Sequence, residues 1–244
     1  MFSLSYRAIE ASVVYNLSMH VAAVQFDISW EDPKNSIVSA STLLSMAKLP
    51  TGSLVVLPEM FATGFSMNAE LALAAQAETK ATLSELALSQ KIFICGGVVA
   101  RGKSGQPENQ AVLYAPDGVE FGRYTKRHPF TPLNEDKVYP GSEDIKTFDV
   151  DNTRIAPLIC YDLRFPEEFR RAVVQGAEIF LILANWPASR QDHWVTLLRA
   201  RAIENQAFVV GVNRTGQDPH TQYAGGSMVV SPRGEVLAQA DASP

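Results

Sequence analysis

Short, wholly apolar runs that stop at charged residues, proline or glycine recur along this chain, separated by longer stretches of helical periodicity. From Met19 the pattern His20-Val21-Ala22-Ala23-Val24 reads as a strand, and Asp32-Pro33 then opens a helix with Ile37, Val38, Leu43, Leu44 and Ala47 on one face. Leu54-Val55-Val56-Leu57 reads as a strand buried on both sides and stops at Pro58-Glu59. One Ala- and Leu-rich helix is expected over 69–90, leading to a strand over 92–100. Strands over 109–115 and 119–125 flank a tight turn at Pro116-Asp117-Gly118, whereas 131–141 lacks apolar periodicity and reads as a loop. A second hairpin is expected from 148–150 and 154–160, turning near Asp151-Asn152. A helix over 167–175, a strand over 179–184 and a helix over 191–206 follow, the last with Trp194, Leu198 and Ala202 on one stripe. Strands over 208–213, 227–231 and 236–240 complete the pattern. Strands and helices that alternate, with hairpins interspersed, indicate an α/β sandwich of mixed sheets.

Residues 1–18 fit neither period, so the folded domain is expected to span 19–244 with 1–18 as an extension outside it. With 244 residues, 46% hydrophobic and 19% charged, the chain can bury one large core and nothing in its composition requires a second domain. A net charge of -5 with scattered basic residues leaves no phosphate-tracking stripe, which argues against nucleic acid as a partner. No apolar run approaches the length of a membrane span, and the N-terminus lacks the build of a signal peptide. Two cysteines are too few for a disulfide framework, which favours a reducing cytoplasm.

Gly97-Val98-Val99-Ala100-Arg101-Gly102-Lys103-Ser104 has the spelling of a phosphate-binding P-loop. The chemistry needs a helix to begin at the lysine, and Gly105-Gln106-Pro107 cannot open one, so the match is read as a hairpin loop. The four histidines, His20, His128, His193 and His220, lack metal-ligand spacing, and no metal or cofactor is expected.

Three chemically capable residues each follow the end of an apolar strand. Glu59 stands just past Leu57 among Met60, Phe61 and Phe65, neighbours that suit a carboxylate for general acid–base work; alone it reads more readily as a solvated strand terminus. Lys126 ends the strand over 119–125 and by itself would simply point to water. Cys160 closes Ala156-Pro157-Leu158-Ile159 just ahead of a helix start at Pro166, where backbone N–H groups and fixed charge are expected to lower its pKa. A lone cysteine at a strand end is more often an inert small hydrophobe, so the case rests on three such groups reaching one sheet edge.

The stretches Leu57-Pro58-Glu59-Met60-Phe61-Ala62-Thr63-Gly64-Phe65, Tyr124-Thr125-Lys126-Arg127-His128 and Leu158-Ile159-Cys160-Tyr161-Asp162-Leu163-Arg164-Phe165-Pro166-Glu167 resemble the three catalytic motifs of the nitrilase, or carbon-nitrogen hydrolase, superfamily. Leu183-Ala184-Asn185-Trp186-Pro187, His193-Trp194 and the run from Arg199 to Gln206 are most similar to its omega-amidase branch. The resemblance implies a four-layer α-β-β-α sandwich of two mixed sheets, a cytoplasmic homodimer, and a small carboxylate-bearing amide such as 2-oxoglutaramate or 2-oxosuccinamate as substrate. It implies Cys160 as nucleophile, Glu59 as acid and base, Lys126 and the backbone N–H of Tyr161 as oxyanion donors, and Glu135 beside them. Arg164 and Trp186 are the expected substrate-binding residues, with Arg127 and Arg190 as further cations for the carboxylate. The rival readings are an amidase for deaminated glutathione or another carbon-nitrogen substrate, and a non-catalytic binding module of the same fold.

Overall fold

Two-residue alternation along the first strands sorts their side chains between two cores. The computed structural model describes residues 8–11 and 19–241, and in it Ala8–Ala11 (β1) pairs antiparallel with Val21–Val24 (β2). Val21 and Ala23 of β2 enter one core while Ala22 and Val24 enter another, as a strand's pleat requires. A helix at Pro33–Ala47 (α1), capped by the Asp32 side chain on the Asn35 N–H at 3.1 Å, leads to Leu54–Val56 (β3). There Leu54 and Val56 join the first core, and Val55 and Leu57 the second. Each such side chain, fully withdrawn from water, adds about 1.5–3 kcal/mol, so burial on both faces fixes the register of these short strands.

The expected single helix over 69–90 is two helices, Ala69–Ala74 (α2) and Gln76–Gln90 (α3), broken at Ala75. Their packing partners explain the break. Ala72 of α2 sits with Met60, Val99 and Tyr139, whereas Leu83 and Ala87 of α3 pack on the sheet beside α1, and one straight axis cannot serve both. Phe93–Arg101 (β4), Pro107–Tyr114 (β5) and Glu120–Thr125 (β6) complete a sheet of order β1-β2-β3-β4-β5-β6. The P-loop spelling falls on β4 and its turn into β5, the hairpin expected of it. The stretch expected to be a loop instead holds a 3₁₀ turn at Thr131–Leu133 and a short helix at Glu135–Val138 (α4).

The second sheet is built on Phe148–Val150 (β7), Thr153–Ile159 (β8), Ile179–Ala184 (β9) and Phe208–Asn213 (β10). Helices Pro166–Val174 (α5) and Gln191–Asn205 (α6) make the parallel crossovers, with Pro166 in the first turn of α5. Phe169 and Ala172 of α5 and Trp194, Leu198 and Ala202 of α6 reach the same core as the inner strands. Thr215–Gln217 (β11) and Gln222–Ala224 (β12), a hairpin too short to show a period, project apart from the sheet; Met228–Val230 (β13) and Val236–Gln239 (β14) finish its order, β14-β13-β10-β9-β8-β7. Two mixed sheets with helices α1 and α3 outside one and α5 and α6 outside the other make the four-layer sandwich. Of the extension expected over 1–18, only β1 lies within the described residues. Among the described residues no helix is long and apolar enough to cross a membrane.

Candidate active site

Glu59, Lys126 and Cys160 each stand just beyond a strand end, after β3, β6 and β8 respectively. The first of these placements depends on Gly97. A Cβ there would lie 2.5 Å from the Glu59 Cα and 2.5 Å from the Pro58 carbonyl oxygen, so only glycine lets the Glu59 segment lie flat against β4. The Gly97 N–H donates to the Pro58 carbonyl at 3.2 Å, and the Phe61 N–H donates to the Gly97 carbonyl at 3.0 Å. The first glycine of the P-loop spelling therefore serves the carboxylate.

Glu59, Lys126 and Glu135 form one buried cluster, with side chains 0%, 2% and 0% exposed. The Lys126 ammonium donates to Glu59 Oε1 at 2.8 Å and to Glu135 Oε2 at 2.8 Å. Asn109 Nδ2 bridges the same carboxylates, at 2.8 Å from Glu59 Oε1 and 2.9 Å from Glu135 Oε1. From the opposite sheet the Asn185 N–H donates to Glu59 Oε2 at 3.0 Å, and Asn185 Nδ2 donates to the Glu59 carbonyl at 2.7 Å. The Phe130 N–H holds Glu135 Oε2 at 2.6 Å, which ties α4 to the cluster. Burial alone would lower the pKa of Lys126, but the carboxylates of Glu135 and Glu59 outweigh it and hold the ammonium's pKa above its ordinary value.

Cys160 opens a 3₁₀ turn over Cys160–Arg164 with a φ of 46°, a left-handed conformation that aims the thiol out of the line of β8. Asp162, two residues on, fixes this turn to the neighbouring strand end. Its carboxylate accepts from the Ile159 N–H at 2.9 Å, the Tyr124 hydroxyl at 2.8 Å and the His128 N–H at 2.9 Å. The Cys160 thiol faces the Asn185 carbonyl, 3.9 Å from Sγ. Its pKa lies well above the ordinary thiol value, chiefly through burial and then the Glu59 charge, with Lys126 pulling the other way. That reverses the lowering expected at a strand end ahead of a helix: loss of solvent around Cys160, and after it the Glu59 charge, outweighs Lys126 and the backbone.

Above Cys160 opens a cavity of about 680 Å³, lined mainly by aromatic and apolar side chains. Tyr161, Arg164 and Trp186 line it, as does Arg190. Trp186 is anchored through its N–H to Asn213 Oδ1 at 2.7 Å and through Nε1 to the Arg190 carbonyl at 2.8 Å. The Arg164 guanidinium carbon lies 4.9 Å from the centre of the Trp186 ring, and that of Arg190 5.4 Å from the Phe130 ring. Neither arginine has a carboxylate partner among the described residues. Arg127 differs: its Nε donates to Glu168 at 2.8 Å and a terminal nitrogen to the Glu143 carbonyl, and it does not line the cavity.

Sequence reasoning passed over Asn109, Asn185 and Asp162 as site residues. Asn109 left a trace as an amide at the mouth of an apolar strand, and Asn185 another by ending a strand as Glu59 does. Chemically, a half-buried thiol beside a carboxylate cluster and an ammonium can attack a carbonyl carbon, stabilise the resulting oxyanion and shuttle a proton.

A sequence profile described as carbon-nitrogen hydrolase matches residues 20–244. The 2-oxoglutaramate amidase of Bacillus subtilis is 34% identical over 221 residues, which cover 90% of this chain and 85% of that protein. Omega-amidase YafV of Escherichia coli strain K12 is 42% identical over 190 residues, 77% of this chain and 72% of its own. Among solved structures, XC1258 from Xanthomonas campestris, described as a CN-hydrolase superfamily protein with an arsenic adduct in its active site, superposes with a TM-score of 0.84 at 33% identity, covering 96% of this chain and 87% of that one.

Proposed function

This chain belongs to the carbon-nitrogen hydrolase family, in its omega-amidase branch, and from that premise we propose that it hydrolyses the terminal amide of a small carboxylate-bearing amide of the 2-oxoglutaramate or 2-oxosuccinamate type. The observation that carries the reading is a thiol and its acid–base cluster at one end of a cavity whose walls hold two arginines without acidic partners among the described residues. A reactive amide at one end and an anion at the other is the substrate that such a cavity complements.

The Cys160 sulfur attacks the amide carbon. Because the resting group is a thiol, its proton leaves as the bond forms, and Glu59 accepts it. Lys126 and the backbone N–H of Tyr161 hold the oxyanion, a contribution of about 10²- to 10³-fold per donor. Collapse breaks the carbon–nitrogen bond, and Glu59 returns the proton to nitrogen so that ammonia departs and a thioester remains. Water then attacks the thioester, giving its proton to Glu59; the second collapse frees the acid, and the proton returns to the sulfur. Glu135 and Asn109 keep Lys126 and Glu59 in register throughout. Arg164, with Trp186 beneath it, takes the substrate's carboxylate, and Arg190 stands on the same cavity's wall.

The test is ammonia release from 2-oxoglutaramate by the intact protein beside Cys160→Ala. Turnover in the first and its loss in the second is expected, with acyl transfer to the thiol seen by mass spectrometry; turnover that survives the substitution would sink the mechanism. The proposal extends to a homodimer in the cytoplasm, with 19–244 as the hydrolase domain. Support for the dimer comes from Val174 on α5 and Ile203 on α6, 88% and 52% exposed on the outer helices, and sedimentation at twice the chain mass is the expected result. Both cysteines are free, as a reducing compartment requires.

A further inference from the structure

The Arg164 guanidinium is held in place by more than the Trp186 ring below it. Its Nη2 lies 3.1 Å from Nδ1 of His193, the third residue of α6. A guanidinium can only donate, so Nδ1 must accept, and the ring is then the neutral tautomer with its hydrogen on Nε2. The histidine's own position is fixed by its neighbour. Trp194 is fully buried, and its Nε1 donates to the Gly226 carbonyl at 2.8 Å, so the first turn of α6 cannot drift from the cavity. Among the described residues no acceptor takes the other N–H groups of Arg164. The result is a planar cation with one face on an aromatic ring, one edge tied, and its remaining donors uncommitted beside the cavity.

We propose that His193 is a positioning residue that orients Arg164 as the carboxylate-binding end of the cavity, through a hydrogen bond that only its neutral ring can accept. This rests on the amidase reading in one respect, that the substrate's tail is an anion. A proton on Nδ1 removes the acceptor and sets two cations against each other. The charged group bonded to the His193 ring is Arg164, from the turn at Cys160–Arg164; no carboxylate is bonded to that ring among the described residues.

The experiment is calorimetric titration of 2-oxoglutarate, the acid that hydrolysis of 2-oxoglutaramate yields, into the intact protein, His193→Leu and His193→Asn. Asparagine places an oxygen near the Nδ1 position and stays an acceptor at any pH; leucine has none. Loss of one exposed charge-assisted hydrogen bond predicts about three- to tenfold weaker binding in His193→Leu, with His193→Asn within about twofold of wild type. Turnover of 2-oxoglutaramate should show the same change in KM with kcat unaltered. Equal affinity in wild type and His193→Leu, or an asparagine variant as weak as the leucine one, overturns the proposal, and so does a wild type that does not bind the anion. Tight binding without any amide turnover would instead count against the amidase reading and leave this one standing.

Discussion

The two halves of the molecule share one strand pattern and hand opposite chemistry to the site. From β1 to β6 successive pairs run antiparallel, parallel, parallel, antiparallel, antiparallel, and the same series runs from β7 through β8, β9, β10 and β13 to β14. In corresponding places, Glu59 follows β3 and Asn185 follows β9, and the two are bonded to each other. Likewise Cys160 follows β8, where the first half has Gln25 after β2. Gln25 Oε1 accepts from the Ser227 N–H at 3.0 Å, a bond between the halves. The first half thus carries the charges and the second the thiol. Architecture fixes where the site falls, and the residue at each matching strand end decides whether that half moves a proton, attacks, or clamps its counterpart.

Removing the charge from Glu59 breaks the comparison most sharply. Glu59→Gln is expected to cost about 10²- to 10⁴-fold in kcat, read by ammonia release. The same change should make Cys160 more reactive to iodoacetamide at a fixed, mildly alkaline pH. The Glu59 charge raises the thiol's pKa, so its loss lowers that pKa and increases the thiolate fraction. Lys126→Met should lose about 10²- to 10³-fold in kcat and shift alkylation in the opposite sense, since the ammonium holds the thiol's pKa down. It also leaves two buried carboxylates without their cation, so a loss of about 3–5 kcal/mol in a denaturant titration is expected. Alkylation moving the same way in both variants would show that the two charges of the first half do not act on the thiol in opposite senses.

Gly97→Ala sharpens the comparison from the side of geometry. Its Cβ has no room beside Glu59, so the carboxylate must shift, and a displacement of order 1 Å costs about 10²-fold in kcat with little change in KM. Lys103→Ala marks the low end. The residue lies in an exposed hairpin turn, and turnover and melting temperature should stay within error, about ±0.5 kcal/mol in stability.

These contrasts explain what the sequence disclosed. Lys126, set between Tyr124-Thr125 and Arg127-His128, was visible through the motif it stands in, and Glu59 and Cys160 because each ends an apolar run, an interruption that survives in one dimension. Most strands of both sheets were visible for the same reason, being buried on both faces. Asn109 and Asn185 were not, because an amide at a strand end is ordinary until a carboxylate from another strand meets it. The break at Ala75 follows from two packing surfaces rather than from any breaker residue, and α4 owes its one turn to Glu135 being drawn inward by Lys126 and the Phe130 N–H. The thiol's pKa went the other way because tertiary packing takes Cys160 out of water and, second to that, sets Glu59, remote in sequence, close to it.

The left-handed backbone at Cys160 has an evolutionary corollary. A residue with a Cβ in that conformation costs roughly 1–2 kcal/mol relative to glycine, so the chain carries a standing debt of stability at its most reactive atom. A lineage released from selection for the reaction would drift to glycine or asparagine here first, melting at a higher temperature as it fell silent. The cysteine is thus the position at which an active and a decayed copy of this fold should first part ways.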